Sequence, residues 1–335
     1  MHAFSNFGYF LIYLIVLIPY EIIRHLPYGA VKGGAWFVGG VMNWIPSIRN
    51  LVRANLRIAF PEYSKAEVAR TGLRSLRNLA LNIGEFIWLN GHAERIERRY
   101  VLPPDVTEKL KGHVARGERI IFVNPHLGSW EASGVMAPYY AGVDMVAIAK
   151  PVRNPYINRL INRGNREKVK GLHIIFSHGA IRAAMQALRE GRGVGTLIDQ
   201  NTRVRDGGTF IHFFGLPVPS STAPALLMKY CVSKGIPAVI IYGTSVRHED
   251  GRVYAHARYL PKPFEEYRDE AEVLQDLMKI SESYIRRYPD QYLWFYHRFR
   301  YIESDWPEEL KKRYPYYAEI AAPHFYRKVR PLSGK

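Results

Sequence analysis

The hydrophobic positions of the chain fall into short strand-like runs separated by helical stripes. β-Branched and apolar runs predict strands at 119–123, 144–149, 193–198, 237–242 and 252–258. Apolar residues at three- and four-residue spacing predict amphipathic helices at 64–87, 181–188 and 269–287. Strands and helices in this alternation predict an α/β fold with a mostly parallel central sheet flanked by helices.

The amino-terminal segment has a different pattern. Residues 1–20 carry no formal charge and are dense in Phe, Leu, Ile, Val and Tyr, until Glu21 and Arg24 end the run. Since about 20 apolar residues span a bilayer, the pattern predicts a membrane-associated helix that either spans the membrane or lies in the interface. A buried core helix is the alternative. Basic residues on its carboxyl-terminal side predict that this side faces the cytoplasm.

The net charge of the chain indicates which kind of molecule it binds. The chain has 47 basic and 30 acidic residues, a net charge of +17, which favours an anionic partner such as a nucleic acid, an anionic membrane or an acidic protein. Zinc-ligand spacing, a helix-turn-helix pattern and an RNP-like aromatic block are all missing from the sequence, so nucleic acid is not expected. We expect no metal and no cofactor. Cys231 is the single cysteine, which excludes an internal disulfide.

The candidate chemistry lies directly after the first predicted strand, at His126 and Glu131. On one continuous helix a five-residue spacing leaves two side chains about 140° apart. They meet only if His126 lies on a turn and Glu131 in the first turn of a helix; Pro125, Gly128 and Ser129 are suited to that turn. A carboxylate beside an imidazole fixes its tautomer, so the pair is a candidate general base. The spacing alone is a weak signal in a chain with 12 His and 30 acidic residues.

The surrounding sequence adds a resemblance. Asn124-Pro-His-Leu-Gly-Ser-Trp-Glu131 resembles the first block of the lysophospholipid-acyltransferase superfamily, in particular the lipid A late (lauroyl/myristoyl) acyltransferase family, with Pro125 as a small departure. Further pieces similar to that family occur in the same order. They are Arg53-Ala-Asn-Leu-Arg-Ile-Ala-Phe-Pro-Glu62, Arg166 with Gly171, Asp199-Gln-Asn201 with 207–217, and 289–300.

This resemblance implies a membrane-associated acyltransferase. The expected reaction moves a fatty acyl chain from an acyl thioester to a hydroxyl of an anionic glycolipid, such as a lipid A precursor, or of a lysophospholipid. Acyl carrier protein is the expected donor, and acyl-CoA stays open. The expected location is the cell inner membrane with the catalytic domain on the cytoplasmic side. The expected division is an anchor helix at 1–24, a helical scaffold at 25–100, the acyltransferase α/β domain at 101–323 and a basic tail at 324–335.

The resemblance also implies roles for individual residues. His126 takes the proton of the acceptor hydroxyl, Glu131 holds the imidazole, and backbone N–H groups after Gly128 are candidate oxyanion donors. Arg166, or Arg163 as the rival assignment, binds the acceptor phosphate. The remaining substrate-binding candidates are Asp199, which organises the site by orienting Arg166, together with Gln200 and Arg298. The acyl-groove candidates are Phe210, Phe213 and Phe214, for which a core role is the equal alternative.

Two other classes of function remain alternatives at this point. A hydrolase with the same dyad activating water would release free fatty acid without acylating an acceptor. A basic protein that binds nucleic acid or a membrane surface without chemistry would retain tight duplex binding at physiological salt.

Overall fold

The computed structural model describes residues 2–90, 92–176, 179–322 and 325. The predicted basic tail at 324–335 lies outside the described residues, apart from Phe325. Ahead of the sheet the described chain forms helices α1 (His2–His25), α2 (Tyr28–Trp44), α3 (Pro46–Ala59), α4 (Lys65–Leu89) and α5 (Ala93–Arg99). The start of α4 is the predicted capping box, in which Ser64 and Glu67 each accept the other's backbone N–H.

Helix α1 confirms the predicted apolar amino-terminal helix. Its segment Asn6–His25 is 20 residues long with a mean hydropathy of 1.7, so by length and composition it is able to cross a membrane. Only 6% of that segment is buried within the protein. The alternative of a buried core helix is therefore not supported.

The central sheet has seven strands among the described residues and confirms the predicted fold class. From one edge to the other, the order is β1 (Tyr100–Val101), β9 (Val253–Tyr259), β8 (Ala238–Arg247), β2 (Arg119–Asn124), β5 (Gly193–Leu197), β3 (Met145–Ala149) and β4 (Leu172–Phe176). All neighbours pair in parallel except β8 and β9, which are antiparallel. The five predicted strands are all present, and β8 extends five residues beyond its predicted end. Strand β4 was not predicted, because its neighbours in sequence are basic and polar.

The other elements surround this sheet. The helices are α6 (Pro104–Ala115), α7 (Trp130–Ala141), α8 (Pro155–Asn162), α9 (Ala180–Arg189), α10 (Ala223–Ser233), α11 (Glu270–Arg287) and α12 (Glu308–Lys311). Strands β6 (Gly208–Phe213) and β7 (Leu216–Ser221) form an antiparallel hairpin, and β10 (Tyr301–Ile302) pairs with β11 (Glu319–Ile320).

The sheet separates two hydrophobic clusters because side chains on a strand alternate between its faces. On β2, Ile121 and Val123 point into a cluster that includes apolar residues of α9, α10 and α11. Ile120 and Phe122 point into a second cluster with residues of α6 and α7. With both faces covered, ligand sites are restricted to the strand ends, where such sheets usually bind ligands.

Candidate active site

His126 and Asp199 follow the neighbouring parallel strands β2 and β5 and meet at the carboxyl edge of the sheet. The imidazole Nδ1 of His126 lies 2.7 Å from Oδ1 of Asp199, and the backbone N–H of His126 donates to Oδ2 at 2.8 Å. Two hydrogen bonds from one residue to one carboxylate fix both the backbone and the ring of the histidine.

This pairing determines which imidazole nitrogen is basic. A carboxylate only accepts hydrogen bonds, so Nδ1 of His126 carries the proton and Nε2 has the free electron pair. The side-chain amide of Gln200 lies 3.2 Å from Nε2, consistent with donation to that electron pair. The ring of Trp130 packs beside the imidazole, with ring centroids 5.4 Å apart. Nε2 is therefore the nitrogen available to a substrate that displaces Gln200.

Asp199 is held as a carboxylate. Burial raises its pKa, but the positive charge that His126 has when protonated, the two hydrogen bonds from His126 and the charge of Arg298 outweigh burial and bring the pKa below its usual value. The pKa of the buried Tyr292 hydroxyl is raised mainly by burial and secondly by the negative charge of Asp199. The site therefore contains a buried negative charge directly behind the imidazole, where it stabilises the imidazolium ion.

Glu131 forms a separate pair with Arg166. The guanidinium donates to both carboxylate oxygens, from Nε at 2.9 Å and from Nη2 at 2.5 Å, and its Nη1 donates to Asn162 at 2.8 Å. This corrects two expected contacts: His126 is oriented by Asp199 rather than by Glu131, and Arg166 is oriented by Glu131 rather than by Asp199. Spacing along the sequence did not show which pairs form, because β5 lies next to β2 only in the folded sheet.

The turn between His126 and Glu131 depends on Gly128. Its φ is +62°, and a Cβ atom at this position would lie 1.9 Å from the carbonyl oxygen of Ser245. The Gly128 N–H donates to Gln291 O and the Ser129 N–H to Ser245 O, while Asn82 of α4 donates to the Gly128 carbonyl. These contacts hold the turn on three sides.

The same contacts narrow the set of expected oxyanion donors, which are the backbone N–H groups after Gly128. The N–H groups of Gly128 and Ser129 already have carbonyl partners. Ser129 occupies the N-cap position of α7, although its side chain makes no capping hydrogen bond. The first N–H groups of a helix have no partner within the helix, so the donors at this helix end are those of Trp130 and Glu131, both of which line the cavity described next.

His126 and Glu131 line one large cavity of about 1190 Å³. Its polar wall includes Gln200, Arg166 and Tyr296. Its apolar wall runs between the sheet and the helices and is formed by Leu89, Phe122, Met145, Val169 and Leu172, among others. Typical pockets for small molecules measure about 300–1000 Å³, so this cavity has room for a larger ligand with one polar and one apolar part.

The predicted acyl-groove phenylalanines lie elsewhere. Phe213 and Phe214 are buried in the core, where they pack against Trp294, Phe299 and each other, and Phe210 packs edge-on against Trp306. The lining of the cavity does not include them. Phe213 and Phe214 therefore lie in the core, whereas Phe210 is only half-buried. Their apolar character did not distinguish a groove from the core.

The structure also separates the basic candidates. Arg166 lines the cavity, whereas Arg163 is an exposed residue at the end of α8 and is not part of the lining. Arg298 is 2% exposed, and its guanidinium donates to Asn201, to the Pro219 carbonyl and to Ser220. Those contacts do not support the substrate-binding role expected of Arg298, because its donors are directed into the protein.

Several residues that form the site had no signal in the sequence. The turn after His126 is contacted from three distant segments, by Asn82, Ser245 and Gln291, and only the fold shows this. Within the described ranges, no three His, Cys, Asp or Glu side chains are grouped as metal ligands would be.

The fold and site define a class of protein: an α/β enzyme with a carboxylate-oriented histidine at the mouth of a partly apolar cavity. Comparison with known proteins identifies the family. Residues 2–301 match the family described as bacterial lipid A biosynthesis acyltransferase. The lipid A biosynthesis palmitoleoyltransferase of Escherichia coli (strain K12) is 24% identical over 299 residues, covering 88% of this chain and 90% of the relative. The corresponding figures are the same for a lipid A biosynthesis acyltransferase of Shigella flexneri.

A third relative is the lipid A biosynthesis lauroyltransferase of Escherichia coli (strain K12), which is 22% identical over 316 residues, 92% of this chain and 93% of the relative. The chain belongs to the bacterial lipid A biosynthesis acyltransferase family. It is therefore an acyltransferase, which confirms the predicted family and enzyme class and removes the alternative of a binding protein without chemistry.

Proposed function

We propose that this enzyme transfers a fatty acyl chain from an acyl thioester to a hydroxyl of an anionic glycolipid of the lipid A type, with a lysophospholipid as the alternative acceptor. The observation that carries the proposal is the orientation of His126. Asp199 occupies Nδ1, so Nε2 is the base, and it lies at the wall of a cavity with room for a lipid chain.

The proposed reaction begins when Nε2 of His126 takes the proton of the acceptor hydroxyl. The oxygen attacks the thioester carbonyl carbon, and the N–H groups of Trp130 and Glu131 stabilise the negative charge that forms on the carbonyl oxygen. The carbon–sulfur bond then breaks, and the thiolate takes the proton from the imidazolium. An ester and a thiol are the products, and His126 returns to its starting state. Asp199 stabilises the imidazolium throughout.

Glu131 and Arg166 have a joint role in the proposal. A bidentate carboxylate holds the guanidinium plane in one orientation, and we assign Arg166, one of the basic residues that line the cavity, to the acceptor phosphate. Glu131 therefore acts on the acceptor through Arg166, and Gln200 contacts the acceptor hydroxyl when it leaves Nε2. This replaces the direct contact between Glu131 and His126 expected from the sequence.

The apolar wall of the cavity supports a position for the acyl chain. Phe122, Met145 and Leu172 belong to the cluster between the sheet and its covering helices, and they also line the cavity. Burial of a hydrocarbon chain contributes about 0.8 kcal/mol per CH₂ group. A chain placed there directs its thioester carbon toward His126.

The donor and the location are part of the same proposal. Acyl carrier protein is the proposed donor, because an acidic carrier complements a chain with a net charge of +17. We propose that α1 anchors the enzyme in the cell inner membrane and that residues 101–323 form the catalytic domain on the cytoplasmic side. The length of α1 and its low burial within the protein support its role as an anchor.

The test uses the full chain in membranes with labelled acyl carrier protein or labelled acyl-CoA and candidate lipid acceptors. We expect acylated glycolipid from the wild type and from His173→Ala, an exposed histidine on β4, and almost none from His126→Ala. Free fatty acid without acylated acceptor would assign a hydrolase instead. Equal turnover with acyl-CoA would remove the carrier protein from the proposal.

A further inference from the structure

The outward face of α2 is apolar over its carboxyl-terminal half and the C-cap residue that follows. It is formed by Trp36, Phe37, Val38, Val41, Trp44 and Ile45, which we call the α2 apolar face. Phe37 is 74% exposed and Trp44 is 80% exposed, and seven residues separate them, so both point the same way from the helix. A helix on the surface of a soluble domain normally has polar residues there.

The opposite face of α2 packs against the protein. Val31, Ala35 and Gly39 are buried at four-residue intervals against α4. At Gly39, a Cβ atom would lie 2.5 Å from the Cα atom of Arg77, so the two helices are in backbone contact. A 17-residue helix that is fixed along one side to the protein presents its other side to a surface.

The α2 apolar face is accompanied by a second apolar surface and by basic residues. The neighbouring helix α1 exposes Phe7, Ile12, Ile15 and Ile18. Helix α3 begins directly after Ile45 and has no acidic residue, and Arg49, Arg53 and Arg57 follow one another at four-residue intervals. We call these three the α3 arginine row. Burial and the charges of Arg49 and Arg57 lower the pKa of Arg53, as expected for like charges gathered on one face.

We propose that the α2 apolar face lies in the interface of an anionic lipid bilayer, with the α3 arginine row at the level of the lipid phosphates, as a membrane contact in addition to α1. Exposed apolar patches of this kind mark interaction surfaces. Tryptophan is favoured at the membrane–water interface, and arginine in the adjacent layer gains from lipid phosphates. Arg77, which stacks over Trp36 at 4.8 Å, adds a further cation at this border.

Tryptophan fluorescence allows the lipid contact of α2 to be measured separately from that of α1. The chain has six tryptophans, and α1 contains none. The full chain is reconstituted in vesicles of phosphatidylcholine and phosphatidylglycerol in which part of the phosphatidylcholine carries bromine on its acyl chains. We expect strong quenching of tryptophan fluorescence in the wild type, stronger with bromine near the headgroup than with bromine near the chain end.

The matched variants are Trp36→Phe with Trp44→Phe, and Trp306→Phe as the control. The double variant retains an apolar face and is expected to lose most of the lipid-dependent quenching, whereas Trp306→Phe keeps it. Quenching that persists in the double variant would overturn the proposal. So would an unquenched wild type that floats with the vesicles and sediments as a dimer, because a second copy would then cover the face.

The arginine row is tested in the same vesicles. Changing Arg49, Arg53 and Arg57 to Gln is expected to abolish the additional quenching that phosphatidylglycerol produces over pure phosphatidylcholine. The control changes Arg182, Arg189 and Arg192 to Gln, an equal loss of charge on and after α9. Equal effects of the two triple variants would show that net charge alone is responsible and would overturn the assignment of the row. Circular dichroism checks that each variant is folded.

Discussion

His126 donates the hydrogen bond that orients its ring, from Nδ1 to Asp199, 73 residues further along the chain, at 2.7 Å. The two residues follow the parallel strands β2 and β5, and they meet because these strands are neighbours in the sheet. Glu131, five residues from His126, is instead bound to Arg166. Two carboxylates of the site therefore have different partners, and their substitutions should have different kinetic effects.

Asp199→Asn tests the orientation of the base. An amide in this position accepts from Nδ1 less strongly and provides no charge for the imidazolium, so we expect kcat to fall by about 10²- to 10⁴-fold. The pH dependence of kcat should also change, because the imidazolium loses its counter-charge. Steady-state kinetics from pH 6 to 9 measure both. An unaltered pH profile would contradict the assigned role.

Asp199 also predicts a pH dependence of stability. Its pKa in the folded protein is below the usual value, because His126 and Arg298 outweigh the effect of burial. The folded state therefore binds this proton less readily than the unfolded state. The resulting stabilisation is present above the unfolded pKa of about 3.9 and is lost as the pH falls through the folded pKa. Urea unfolding of the wild type and Asp199→Asn below pH 5 should show a weaker acid dependence in the variant.

Glu131→Gln and Arg166→Gln test whether these residues act as one unit. If Glu131 serves to orient Arg166, each single variant should raise KM for the lipid acceptor, and the double variant should be little worse than either. We expect a coupling energy of about 0.5–3 kcal/mol from the double-mutant cycle. Additive effects, or an effect of Glu131→Gln on kcat alone, would favour direct action of Glu131 on the reacting groups.

Gly128→Ala should disrupt the catalytic turn. The added Cβ would lie 1.9 Å from the Ser245 oxygen, and the residue would keep a φ of +62°. A residue held in a sparsely populated backbone region costs about 1–3 kcal/mol before any clash is counted. The control is Gly134→Ala on α7, where no atom lies within 4 Å of the new Cβ. Urea unfolding should show a loss for the first variant and a gain of up to about 1 kcal/mol for the second.

Gly134→Leu tests the proposed position of the acyl chain. Gly134 lines the cavity, and the space at its Cβ position is open. Leucine is also a better helix former than glycine by about 1 kcal/mol, so the fold should persist while the cavity shrinks. We expect products with shorter acyl chains, measured by mass spectrometry of the acylated lipid. An unchanged chain-length distribution would place the chain elsewhere.

Features that depend on residues close together in the sequence were predicted, and contacts between distant segments were not. Strands such as β2 and β5 were predicted because their apolar runs are local, and the capping box at Ser64 is a three-residue pattern. The partners of His126 and Glu131 were not predicted, because strand order decides which carboxylate reaches which base. Phe213 and Phe214 show the same limit: local composition marks a residue as apolar, but burial depends on distant residues such as Trp294 and Phe299.

Helix α4 contacts both α2 and the turn that follows His126. Near Arg77 it is in backbone contact with α2, and at Asn82 it donates to the turn that holds the catalytic base. Five residues of continuous helix separate these two points, about 8 Å along the axis. A shift of α2 would therefore reach the His126 turn through one short stretch of continuous helix, so the proposed lipid contact of α2 would act on the position of the proposed base.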